Sequence, residues 1–347
     1  MLSQILSLSP RATSDTSLYP YDPVKPLPII FAVIIFTLAV ISYWQNFFHF
    51  RWFRFGFTML TAGAIWVAGF ACMAVSEYNP RSISPYIAQY VLILIGPPAF
   101  GAAETFILGR LMAYLPYHAP LHPGRVVTTF ILLSAMVEGI SAAGGSRISA
   151  SKNDKSLLPT GVNLLNAALL LQCCVELFFL FLTTQLHRNA RKTGTLPHHV
   201  KVMLGALYTT STMILVRCIF RVVQGFQIKT CILGGTCGLA ITQEALFWVF
   251  EVANITLFVT AWVVFPPGKY LPHTDKVFLD KSDGKTERMG PGFSSEDSRP
   301  WIVTVFDPFN IYGKIKGTDK DTTMIPFWEE NYQVYETDKA DKNRRKF

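Results

Sequence analysis

Apolar residues run in seven blocks of roughly twenty over the first 267 positions, each long enough to cross a hydrocarbon core about 30 Å thick. The blocks fall at about 27–48, 56–76, 86–108, 127–146, 163–185, 200–223 and 243–265. Ile29–Ile41 is almost wholly apolar, and Leu169–Leu182 is interrupted only by Gln172, Glu176 and two cysteines. Continuous runs of this kind predict helices, because a membrane-spanning barrel needs short segments alternating with period two. The predicted fold is all-α: a polytopic seven-helix transmembrane bundle over 27–267, an extracellular segment over 1–26, and a mostly disordered cytosolic tail over 268–347.

Composition moves the same way. Half of the 347 residues are apolar and only 16% are charged, which excludes the two soluble domains that length alone would suggest. Ahead of the first span the only apolar run is Ile5–Leu8. That is too short for a cleavable signal, so 27–48 is expected to target and anchor the protein.

Lys and Arg near the span ends set the orientation. Twelve, from Arg51 and Arg54 through Arg110, Arg125, Arg188 and Lys201 to Lys285, fall on one side; seven, including Arg11, Lys25, Arg81, Arg147 and Lys229, fall on the other. The N-terminus is therefore expected outside and the C-terminus in the cytosol. From Gly268 onward, fourteen basic residues balance fourteen acidic ones, so the net charge of +8 resides entirely in the preceding chain. It reflects topology and contact with anionic lipids, with no stripe of basic and stacking residues for nucleic acid.

The tail is too charged to build a core of its own. Two aromatic patches, Trp301–Phe306 with Phe309 and Tyr312, and Phe327, Trp328, Tyr332 and Tyr335, are candidates for docking on the cytosolic face or on a cytosolic partner. Cys72, Cys173, Cys174 and Cys218 sit within spans as small packing residues. Cys231 and Cys237 share the short loop before the last span, on the side expected to be oxidising, and are a disulfide candidate.

Seven charges lie where lipid should have excluded them: Glu104, Glu138, Glu176, Arg217, Arg221, Glu244 and Glu251. A charge facing lipid at mid-bilayer costs at least about 2.5–3.5 kcal/mol, so all seven are expected to point inward. Arg217, Arg221 and Gln224 share one face of the sixth span, and Glu244, Trp248 and Glu251 one face of the seventh. The short connection makes these spans antiparallel neighbours, so Arg221, Gln224 and Glu244 are expected to meet. One reading is a set of buried ion pairs fixing helix register. The other is a polar site for a ligand with an ionic head, which five carboxylates against two guanidiniums favour. The expected cavity lies between the third, sixth and seventh spans.

Gly96-Pro97-Pro98 kinks the third span, and Gly101, Ala102, Ala103 and Gly144-Gly145 suit close helix contact. Tyr86, Gln89, Pro97 or Pro98, Ala102-Ala103 and Gly109-Arg110, with Arg217, Arg221, Gly225, Glu244, Glu251 and Pro267-Gly268, resemble the signature of the fungal RTA-like family, the lipid-translocating exporters. The resemblance covers about 20–270. Where that family usually has Asp, Ser and Gln on the fourth span, this chain has Ser134, Val137 and Ser141, with Glu138 nearby; Gln224 and Glu251 replace Glu and Asp.

The resemblance implies a plasma-membrane protein that exports or translocates amphipathic lipids, such as sphingoid bases or sterol-like compounds, or confers tolerance of lipophilic toxins. Its partners are then membrane lipids and an amphipathic small molecule, with Arg217, Arg221, Gln224, Glu244, Glu251, Glu104, Gln89, Glu138 and Glu176 as candidate binding residues. A seven-helix receptor or lipid-responsive regulator is the alternative. No enzyme, cofactor or metal site is expected: there is no phosphate-binding Gly-rich loop, no zinc-ligand spacing, and the loop histidines read as solvated.

Overall fold

The computed structural model describes residues 23–79, 82–121, 123–151, 154, 156–192, 196–232, 235–281, 283–284, 286–290, 301–307, 311–316 and 332–335. Phe309, Phe327, Trp328, Arg11 and Arg81 lie outside these.

Among the described residues, seven helices are long and apolar enough to cross a membrane. The first, α1 (Pro26–Trp44), has proline in its first turn, where the missing N–H costs nothing, and runs into a π-helical turn Gln45–His49. The others are α2 (Phe53–Tyr78), α3 (Ile83–Tyr114), α4 (Pro123–Ala150), α5 (Leu157–Lys192) and α6 (His198–Ile232). The last, α7, is assembled from Glu244–Phe247, a π-helical stretch Trp248–Ala253 and Asn254–Val264. Several helices outrun the apolar blocks that announce them. The 36 residues of α5 extend about 54 Å at 1.5 Å per residue, so its ends stand clear of the hydrocarbon.

Sequential helices pack as antiparallel neighbours, and α7 returns to lie on both α6 and α1, closing the ring. Inside that ring α3 reaches α6. Half of the apolar window of α3 and of α6 is buried, against 17% for α5, so the two central helices form the interior. On α1 the exposed Ile29, Val33, Phe36 and Val40 recur at helical spacing and form the lipid face. Between α2, α3 and α7 a column of edge-to-face rings, Trp66, Phe100, Phe258 and Trp262, fills the core with centroids 5.7–6.4 Å apart.

Two close approaches shape the helices that flank the site. A Cβ on Gly96 would lie 1.9 Å from the Trp66 indole; without one, Trp66 Nε1 donates to the Ile93 carbonyl at 3.3 Å. That carbonyl is the one Pro97 leaves without its i+4 donor, so the kink of α3 is chemically sealed by a side chain of α2. On the other wall a Cβ on Gly144 or Gly161 would come within about 3 Å of the partner glycine's carbonyl, so α4 and α5 meet backbone to backbone.

At the end where α7 finishes, the chain folds back onto the bundle. Gly268 packs under Phe50 and Trp52, where a Cβ would sit 2.3 Å from Phe50 Cβ. Beyond it β1 (Val277–Leu279) and β2 (Glu287–Met289) form an antiparallel hairpin turned at Gly284. All three residues of β1 are buried, with β1 against α3. The Arg110 guanidinium donates to the His273 carbonyl and stacks on Trp52, while Tyr114 donates to Glu287 at 2.9 Å. Residues 332–335 add to β2 through the Tyr335 and Met289 amides. The segment too polar for its own core thus borrows the bundle's. Burial, with Asp280 and Asp283 nearby, pushes the Tyr117 phenol up to about 12. His118 is buried as well, contrary to the solvated reading of the loop histidines, because its turn packs against α3 and α5; burial and then Lys281 lower its pKa. Of the two aromatic patches, the described helix Trp301–Phe306 lies against α4.

Candidate functional site

Two ionic groups stand out in the interior, and they are built differently. In the first, Arg217 and Arg221, one helical turn apart on α6, donate through Nε to the two oxygens of Glu251 on α7, both at 2.8 Å. Arg217 and Glu251 have no exposed side-chain surface. Glu251 sits within the π-helical stretch of α7. Arg221 also donates to Gln224 Oε1 at 2.9 Å, and Gln224 Nε2 donates to the Ala240 carbonyl at 3.2 Å. A Glu at position 224 could accept from Arg221 but could not donate to Ala240, so the neutral residue ties the group to the α6–α7 connection. The cluster carries two guanidiniums on one carboxylate, an excess of one positive charge. It matches the register-fixing reading of the sequence.

The second group is a pair of carboxylates, Glu104 on α3 and Glu176 on α5, 1% and 9% exposed and within electrostatic reach of each other. Ser211 of α6 donates to Glu104 Oε2 at 3.3 Å. Its neighbours Thr209, Thr210 and Thr212 bond carbonyls four residues back on their own helix, and Thr210 also faces Glu104 beside Ser211. Glu104 Oε1 and Glu176 Oε1 are buried with no hydrogen-bond partner. Both residues line a cleft of about 40 Å³ with Pro97, Gly101, Ser134 and Gln172. At roughly 10–15 Å³ of such space per water, it holds about three or four. A smaller cleft of about 20 Å³, lined by Tyr90, Ser141, Arg221 and Gln224, adjoins the arginine cluster.

The cavity therefore lies between α3, α4, α5 and α6 and not between the third, sixth and seventh spans, where the ion cluster and aromatic rings fill the space. Ser134 and Val137 line the larger cleft and Ser141 the smaller. Glu138 does not point inward. It is exposed because the buried face of α4 is set by Phe130, Ser134 and Val137 at helical spacing, and the next residue is rotated about 100° away. Glu244 does not meet Arg221 or Gln224. It accepts from Trp248 Nε1 at 2.7 Å and from the Val24 amide. The intervening π-helical residues turn its face away from that of Glu251, since a wider turn breaks the seven-residue phase. Gln89 is buried on α3.

Three features escape the sequence reading. Glu77, 2% exposed with both carboxylate oxygens unpartnered, sits one residue beyond the predicted second span and resembles a polar helix end. Ser211 was signalled only by the hydroxyl run Thr209–Thr212 in an apolar span. Trp66 reaches Ile93 across 27 residues, a contact that local pattern does not encode. Cys231 and Cys237, at the α6–α7 connection, are joined as a disulfide. Among the described residues no group of His, Cys, Asp and Glu could hold a metal ion.

The sequence profile of the family described as RTA1 like protein matches residues 59–274, a stretch holding both ionic groups. A lipid-translocating exporter-like protein RTA1 of Leptosphaeria maculans is 33% identical over 331 residues, covering 90% of this chain and 63% of the relative. The chain thus spans less than two thirds of that relative's length. A protein of the same description from Ajellomyces capsulatus is 26% identical over 270 residues, 73% of this chain and 81% of the relative. Protoporphyrin uptake protein 1 of Saccharomyces cerevisiae is 29% identical over 217 residues, 60% of this chain and 68% of the relative. No solved structure matches the chain.

Proposed function

Because the chain belongs to the RTA1-like family, multi-pass membrane proteins related to the transport of lipids and other compounds, we propose that it translocates amphipathic lipids or lipophilic toxic compounds across the plasma membrane. The observation that carries this reading is the cleft beside Glu104 and Glu176. It offers two unsatisfied carboxylate oxygens inside the bundle, and polar groups at that depth are retained for passage of polar cargo. The head group of a sphingoid-base-like or sterol-like molecule enters the cleft while its hydrocarbon lies along the boundary of α4 and α5 with the bilayer. The names of the relatives, a lipid-translocating exporter-like protein and a porphyrin uptake protein, fit a cargo of this amphipathic kind.

The N-terminus is placed outside and the C-terminus in the cytosol. The twelve-to-seven distribution of Lys and Arg supports this, as does the Cys231–Cys237 bond, which an oxidising compartment maintains. The packed hairpin of the tail then caps the cytosolic end.

The test is export of a labelled sphingoid base from loaded cells or vesicles, comparing wild type with Glu104→Gln and Glu176→Gln at equal surface expression. Both variants should lose export. Unchanged export in both would remove the cleft from the mechanism. Ligand-dependent recruitment of a cytosolic protein, with no lipid moved by any variant, would make the chain a receptor instead.

A further inference from the structure

The two ionic groups are complementary in charge. The arginine cluster carries an excess of one positive charge, because two guanidiniums share Glu251. The carboxylate pair has no salt bridge to any described cation, and the guanidiniums of Arg217 and Arg221 are committed to Glu251. Two bare carboxylates this close to each other in a buried site repel strongly and ionise together only at high cost. One proton held between them leaves one negative charge, which balances the excess on the arginine cluster. Cys218 links the two groups in space, lying within electrostatic reach of Arg217, Glu251 and Glu176 together.

The surroundings of the pair allow that proton to move. From α6 it meets the hydroxyls of Thr210 and Ser211, and from α5 the Cys173 thiol. From α4 the cleft receives Phe130, Ser134 and Val137, all uncharged, while Glu138 points away. No lysine, arginine or histidine lines the cleft. The unpartnered Oε1 atoms of Glu104 and Glu176 belong to residues that line the cleft, whose volume admits the waters that a proton path needs.

We propose that Glu104 and Glu176 form a coupling-proton site: they share one proton in the resting bundle, exchange it through the cleft, and thereby link a proton gradient to the movement of cargo. In the exchange a carboxylic O–H bond breaks, its proton passes to a cleft water, and the pair is left with two negative charges. That state persists only while another positive charge is present, so proton release on one side is tied to cation arrival or to reprotonation from the other. The coupling half rests on the translocation reading above; the occupancy half does not.

The experiment uses the full chain in proteoliposomes as wild type, Glu104→Gln, Glu176→Gln and Glu138→Gln, each checked for thermal unfolding. Infrared difference spectra between acidic and alkaline buffer should show a protonated-carboxyl C=O band in wild type and Glu138→Gln that is missing from both other variants. Movement of a labelled amphiphile should follow an imposed pH gradient in wild type and fall to the protein-free rate in Glu104→Gln and Glu176→Gln. If either glutamine variant unfolds, Ser211→Ala, which keeps both carboxylates, should shift the pH at which the band disappears. A band that survives in both glutamine variants, or is unmoved in Ser211→Ala, overturns the site. Amphiphile movement indifferent to the pH gradient overturns the coupling and leaves translocation standing. Movement that follows a sodium gradient instead overturns the proton as the coupling ion. If the band behaves as expected but no amphiphile moves under any gradient, translocation falls, and the coupling with it, while the proton site stands.

Discussion

Arg217–Glu251–Arg221 and Glu104–Glu176 lie in the same bundle and are comparably buried, yet the carboxylate of one is fully paired and those of the other are not. In the cluster both oxygens of the acid are taken by guanidiniums at 2.8 Å and the outer arginine is tied on to Gln224. In the pair each acid keeps an oxygen free beside a water-sized cleft. Burial alone does not mark a functional charge. A carboxylate whose two oxygens are both paired fixes structure, even with Nη1 and Nη2 of Arg217 left unpartnered, and one with an unmet oxygen is available to something that arrives.

The comparison breaks most sharply at Glu251. Glu251→Leu strands two buried guanidiniums and should destabilise the bundle by about 3–5 kcal/mol, seen as a lowered unfolding temperature in detergent. Combining it with Arg217→Met and Arg221→Met should restore stability to the wild-type value or above, because a well-packed apolar trio has no desolvation to offset. Failure of the triple variant to recover would mean that the cluster does more than hold register.

A smaller loss is expected at the wall of the open site. Gly96→Ala forces Trp66 off the Ile93 carbonyl, and an orphaned buried acceptor costs about 1–3 kcal/mol. Trp66→Phe should cost a similar amount, and the double variant less than the sum. By contrast, Glu104→Gln and Glu176→Gln should leave stability within about 1 kcal/mol of wild type, or raise it, since a neutral amide is easier to bury than a carboxylate. Their loss should appear in transport, not in melting.

The smallest effect lies at the tail hairpin. His118 has its pKa lowered from 6.5 by burial and by Lys281, so the undocked state binds the proton more readily. Docking should be firmest above about 6.5 and weaken as pH falls below that value through the folded one. Amide exchange of Val277–Leu279 should therefore quicken on acidification, and His118→Phe should flatten the dependence.

The spans and the arginine cluster were legible because both rest on local periodicity. Twenty apolar residues fix a helix, and a four-residue interval places Arg217 and Arg221 on one face whatever surrounds them. Legibility ended where geometry departed from the ideal helix or depended on distant chain. The π-helical stretch of α7 shifted Glu244 out of phase with Glu251, a change no residue type announces. Glu138 looked equivalent to Glu104 in sequence, and only the packing of α4 on its neighbours separates them by one residue's rotation. Gly96-Pro97-Pro98 read as a plain kink, since the indole that completes it is supplied by another helix. The tail hairpin was hidden because Val277–Leu279 is three residues long and gains its burial from α3.

The indole of Trp66 wedged into the bend of α3 makes two helices into one lever arm. Straightening α3 would pull the ring from its slot and leave a carbonyl bare in oil, so that wall of the cleft moves as a block. Any widening then falls to the opposite wall, where Gly144 and Gly161 bring the backbones of α4 and α5 together beneath Leu165 and Ile148.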